Sequence, residues 1–245
     1  MRRIKLTVAY DGTAFHGWQY QPNQRTIEGE VNLALSELIG EEIKVIGASR
    51  TDAGVHAYGN VAVFDTDCRI PGAKFAYALN SRLPSDIKIM SSEEVAPDFH
   101  PRYDCHNKTY EYHISTSLFM LPTKRLYATN VHYNLDADKM NEAAKTFVGR
   151  HDFASFQAVG STVEDTVRTI YSINVRKTED EIVISVNGDG FLYNMVRIIA
   201  GTLINVGNGR LDSKDCQRIL DGKDRTLAGP TAPACGLFLK EINYD

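Results

Sequence analysis

Between residues 4 and 95 the apolar segments follow the order strand, helix, strand, strand, helix, strand. This order constrains the fold more than any other feature of the chain. IKLTVAY (4–10) alternates as a strand does. In TIEGEVNLALSELIG (26–40), Ile27, Val31, Leu35 and Leu38 recur at helical spacing and Gly40 sits at the stop. EIKVIGA (42–48) and GNVAVFDTD (59–67) read as strands, PGAKFAYALNSRL (71–83) as a helix with Pro71 near its first turn, and IKIMSSEEV (87–95) as a closing strand. A β-α-β-β-α-β run is the ferredoxin-like split unit.

The second half has similar grammar. NKTYEYHIST (107–116) and RLYATNVHY (125–133) read as strands, DADKMNEAAKTFVGR (136–150) as a helix, and TVRTIYSINVRK (166–177) with EIVISVNGDG (181–190) as a strand pair. FLYNMVRIIAGTLINV (191–206) is a strongly apolar helix, SKDCQRILDG (213–222) a short one, and CGLFLKEINY (235–244) a final strand. The expectation is an α+β protein of two ferredoxin-like halves, residues 1–100 and 101–245, divided near PDFHPRYD (97–104), with two antiparallel sheets meeting. A chain of 245 residues buries roughly three-quarters of its unfolded surface, so such a core needs no staples. The four cysteines are far apart with no CxxC pair, which disfavours a disulfide framework or zinc site and fits a reducing cytoplasm. No apolar run is long enough to span a bilayer, and the N-terminus lacks the apolar core of a signal peptide.

The loop GASRTDAGVHA (47–57) carries more chemistry than a turn needs. Asp52 and Gly54 alone would make a turn, the carboxylate bonding a backbone N–H. Arg50, two residues earlier, has no place in that account. In the alternative reading Asp52 is a nucleophile, base or charge stabiliser. A carboxylate with the ordinary pKa of about 3.9 is already ionised at neutral pH and needs no activating base. His56 is a lone histidine without the spacing of a metal site.

Helix 191–206 has an apolar stripe of Leu192, Val196, Ile199 and Leu203, widened by Met195, Ile198 and Ala200. Asn194, Arg197 and Gly201 form the narrow remaining face, which is either a solvent stripe or the lining of a cleft. In the second case Arg197 needs a carboxylate, because a buried unpaired charge is very costly, and Asp52 is the natural candidate. Tyr110 and Tyr112 alternate along one strand face, as two core aromatics or as a base-stacking platform. YDGTAFHGWQ (10–19) is either a folded turn or a nucleic-acid contact. The net charge of -4 argues against nucleic acid, but a concave basic patch can coexist with an acidic remainder.

SRTDAGVHA closely resembles the active-site motif of the TruA-type tRNA pseudouridine synthase family. The resemblance extends through YDGTAFHGWQ, TIEGEVNLAL, FHPRYDCHNKTYEY, DFASF, TVRTI, GFLYNMVRIIAGTL and GPTAPACGLFL, in the family's order. Pro101 and Cys105 depart from the residues usual there. The resemblance implies two ferredoxin-like halves flanking a cleft, and a homodimer with tRNA spanning both subunits. The implied reaction is conversion of uridine to pseudouridine at positions 38, 39 and 40 of the anticodon stem-loop, without cofactor or metal. It implies that Asp52 is the catalytic aspartate, that Arg197 pairs with it, that Tyr110 stacks on the target base and that Arg50 helps hold the flipped nucleotide. The chemistry leaves three routes open to the aspartate: addition to C6 of the ring, attack at C1′, or removal of a ribose proton to give a glycal.

Overall fold

A computed structural model describes residues 1–244. The protein is mixed α+β, and its chain divides into two compact units: Met1–His106 with the segment from Phe238 onward, and Asn107–Leu237.

In the first unit β1 (Arg2–Tyr10) lies between β3 (His56–Thr66) and β4 (Ile87–Val95), antiparallel to both. Ile4, Leu6 and Val8 alternate along β1 and are fully buried, the half-buried pattern of a sheet with one covered face. Helix α1 (Ile27–Ile39) begins where the Thr26 hydroxyl accepts the Gly29 N–H and ends at Gly40 in the left-handed region (φ 86°). Helix α2 (Phe75–Asn80) packs Phe75 edge-on to Phe64 of β3 at 5.3 Å.

The strand expected over 42–48 is reduced to β2 (Ile46–Gly47), paired with β3. The reason lies in α1. The Ile43 N–H donates to Ser36 Oγ and the Val45 N–H to Asn32 Oδ1, each at 2.9 Å. Ile43 and Val45 therefore alternate inward because the segment is fastened to a helix, not because it runs in a sheet. The chain's last strand, β10 (Leu237–Asn243), lies parallel to β3 with Phe238 opposite His56.

The second unit is built on β5 (Asn107–Ser115), β9 (Glu181–Gly188), β8 (Val167–Lys177) and β7 (Gly149–Asp152), antiparallel in that order. The strand expected over 125–133 survives only as β6 (Thr129–Asn130), parallel to β5. A helical turn before it takes the Arg125 and Tyr127 N–H groups out of any ladder. The helix expected over 136–150 is shorter: α3 (Ala137–Ala144) is followed by a tight turn to Phe147, and Gly149 (φ 108°) starts β7. Helix α4 (Met195–Gly207) is buried on nearly every face, and α5 (Asp215–Gly222) is short. No helix among the described residues is long and apolar enough to cross a membrane.

Candidate active site

The loop between β2 and β3 alternates inward and outward. Ser49 and Thr51 are each 7% exposed, whereas Arg50 is exposed and Asp52 half-buried. The inward side is held by a polar network. The Thr51 hydroxyl is 2.7 Å from the Tyr10 hydroxyl. The Asn60 amide donates to the Tyr10 oxygen at 3.3 Å and to the Ser49 carbonyl at 3.0 Å. Asn60 is wholly buried, and buried polar groups need such partners. Two neighbouring strands thus hold residues 49 and 51 from beneath.

Residues 10–19 close over this loop. The Trp18 N–H donates to the Thr51 carbonyl at 3.0 Å and the Gly54 N–H to the Phe15 carbonyl at 3.3 Å. Gly17 sits at φ 88°, and a Cβ there would lie 2.6 Å from the Thr51 oxygen, so no other residue permits this approach. The Arg25 guanidinium lies 4.1 Å over the Phe15 ring and binds both oxygens of Asp86 at 2.8 and 3.0 Å. The Asp86 carboxylate raises the Arg25 pKa above its ordinary value. His56 is buried, accepts the Gly12 N–H at Nδ1 (3.1 Å) and stacks on Phe238 at 4.6 Å. The Asp11 carboxylate lies 3.2 Å from the same nitrogen. An Asp11 oxygen also accepts from the Thr13 N–H and hydroxyl.

Removing the phenol oxygen of this network gives a test. Tyr10→Phe lowers the free energy of unfolding by about 1 kcal/mol, the net worth of a buried hydrogen bond. Urea denaturation measures this, and an unchanged midpoint would show that the network does not hold the loop.

Tyr110 and Arg197 belong to the second unit. Tyr110, 8% exposed, meets the Phe191 ring edge-on at 5.2 Å. Tyr112 on the same face is a core residue. Its hydroxyl donates to the Pro233 carbonyl at 2.8 Å and lies 2.5 Å from the Thr129 hydroxyl. Burial pushes its phenol pKa well up. Helix α4 is buried on nearly every face, with Asn194 and Arg197 themselves partly buried. The segment 229–233 is strapped along it. A Cβ on Gly201 would lie 1.9 Å from the Pro230 oxygen, and the Gly229 N–H donates to the buried Thr202 hydroxyl at 2.9 Å. The strap holds Arg197 twice, with Arg197 Nε donating to the Ala232 carbonyl at 2.7 Å and the Ala232 N–H to the Arg197 carbonyl at 3.1 Å. Arg197 Nη1 donates to Asn194 Oδ1 at 2.6 Å.

Local sequence patterns assign no role to Tyr10, Thr51, Asn60, Asn194 or Ala232. Tyr10 and Asn60 act through pairings across the sheet, which local periodicity does not carry. The cluster of glycine and proline in GPTAPACG was the one available sign of a close-packed strap.

A family model described as tRNA pseudouridine synthase matches residues 6–104 and 143–245. The chain belongs to this family. The matched spans contain Arg50, Asp52 and Arg197, while Tyr110 falls in the interval between them. Among family members, the chain is 52% identical over 245 residues to tRNA pseudouridine synthase A of Ruminiclostridium cellulolyticum, covering all of both chains. It is 47% identical over 244 residues to the protein of that name from Thermoanaerobacter pseudethanolicus, again over the whole of both. It is 50% identical over 246 residues to tRNA pseudouridine synthase A 2 of Clostridium tetani, covering 100% of this chain and 99% of that one.

Proposed function

We propose that the protein isomerises uridine to pseudouridine at positions 38, 39 and 40 of the tRNA anticodon stem-loop, with Asp52 as the nucleophile. The observation that carries this reading is the alternation of the 49–52 loop. Its buried residues are clamped, and beside them it carries an exposed cationic side chain, Arg50, and a half-buried anionic one, Asp52. A flipped nucleotide needs both. Arg50 holds the backbone beside it, and Asp52 acts on the sugar or the ring. Removing the target from its stack costs a few kcal/mol, which contacts to the RNA offset.

The reaction breaks N1–C1′, turns the uracil and joins C5 to C1′. The product is an isomer, so no reductant, group donor or cofactor enters. The three routes of addition to C6, attack at C1′ and glycal formation all begin at the Asp52 carboxylate. Arg197 pairs with that carboxylate, and Tyr110 stacks on the target base. The two halves are ferredoxin-like, in keeping with the β-α-β-β-α-β order of the first. The protein works in the cytoplasm as a homodimer, one tRNA spanning both subunits.

Mapping pseudouridine in tRNA from cells with and without the protein tests the assignment. Modification at 38, 39 and 40 disappears without it, and purified protein restores it on unmodified transcripts. Loss at other positions alone would overturn the reading.

Tyr110 provides a finer test. The C5 proton must leave after the new bond forms, and the Tyr110 hydroxyl is the proton carrier that stacking brings to the base. Tyr110→Phe keeps the ring, so tRNA affinity holds, while turnover falls about 100-fold, the scale of a lost general acid or base. Single-turnover rates beside filter-binding constants separate the two effects. A wild-type rate would limit Tyr110 to stacking.

A further inference from the structure

Asn194 occupies the N-cap position of α4 with φ 60° and ψ 10°, in the left-handed region. Few residues other than glycine adopt this conformation, and asparagine tolerates it best. An asparagine at an N-cap ordinarily accepts an N–H of the first helical turn. Asn194 makes no such bond. Its side-chain oxygen accepts from Arg197 Nη1 instead, at 2.6 Å, one helical turn along. The Ala232 carbonyl takes Arg197 Nε at 2.7 Å. Two acceptors on two nitrogens fix the plane of the guanidinium, and both are uncharged. They orient the cation without neutralising it.

A bare left-handed turn is made more easily by glycine. Here the backbone takes the less favourable residue, and the side chain does not cap the helix. What the amide does is hold Arg197. We infer that Asn194 is a positioning residue for Arg197, aligning the guanidinium that engages the catalytic carboxylate. This rests on the role given to Arg197 above.

Asn194→Gly is the test. Glycine satisfies the left-handed turn at least as well, which offsets part of the stability lost with the bond to Arg197, so the thermal midpoint falls only modestly and the fold is retained. The substitution removes only the acceptor. The expected result is a fall in kcat of about tenfold, the scale of one hydrogen bond to a charged group, with KM for tRNA within about twofold. Arg197→Ala is assayed alongside. Wild-type kcat in Asn194→Gly, with conversion lost in Arg197→Ala, would overturn the role of Asn194 and leave the site intact. Wild-type conversion in Arg197→Ala would instead overturn the role of Arg197, and that of Asn194 with it.

Discussion

Asp52→Asn abolishes pseudouridine formation and leaves tRNA bound. Asparagine has the size and shape of aspartate, and the turn it occupies is closed by the backbone, with the Val55 N–H donating to the residue 52 carbonyl at 3.1 Å. The loop is held through residues 49 and 51, which the substitution does not touch. The fold is therefore retained. The charge and, on the proposed role, the nucleophile are lost. Removing the nucleophile of an enzyme lowers turnover by roughly 10⁴ to 10⁶, which for this reaction is background. Affinity is governed by phosphate contacts elsewhere, so the dissociation constant moves by less than about threefold, under 1 kcal/mol. Single-turnover conversion of a labelled transcript, beside filter binding on the same preparation, reads both. An active Asp52→Asn protein would remove Asp52 from the chemistry, and an inactive one that fails to bind tRNA would give it a binding role.

Where local rules and tertiary structure agree, the sequence was legible to the residue. The strand read at 87–95 is β4, and Thr26 and Gly40 bracket α1 as a cap and a left-handed stop should. The failures share a physical cause. Ile43 and Val45 alternate as in a strand, yet their N–H groups go to Ser36 and Asn32 of a helix. Alternation reports burial, not hydrogen-bond partners. The same limit applies to the final strand. Its periodicity places it at 235–244, but nothing local says that it lies parallel to β3 beside His56. Arg50 and Asp52 stood out because a turn does not need that pair. Tyr10 and Asn60 could not, because a tyrosine and an asparagine in strands gain their meaning only when they converge beneath residue 51. Asn194 was hidden for another reason. Before the backbone is known, a left-handed asparagine that holds an arginine reads as one more polar residue on a narrow stripe.

Arg197→Ala produces two separable losses. The first is in stability. Arg197 makes charge-assisted bonds to Ala232 and Asn194 on a helix that is buried nearly all round. Losing a hydrogen bond to a charged group costs about 1.5 to 3 kcal/mol. Because Arg197 is only partly buried, solvent can replace part of what is lost, and the lower figure applies. The second loss is in chemistry: with Arg197 paired to Asp52 as proposed, conversion falls at least about 100-fold, because the carboxylate loses its cation. Arg197→Lys separates charge from shape. Lysine keeps the positive charge but lacks the planar fork that two acceptors hold, so it recovers stability only in part and turnover poorly. Pairing between Asp52 and Arg197 is tested without reference to activity. Unfolding free energies are measured for Asp52→Asn, Arg197→Ala and the double variant. If the two side chains form a pair, the double variant is less destabilised than the sum of the singles by more than about 0.5 kcal/mol, because the second substitution removes an interaction already broken. Losses that add within that margin would show that Asp52 and Arg197 act independently, and Arg197 would then be a residue of the strap and not of the catalytic centre.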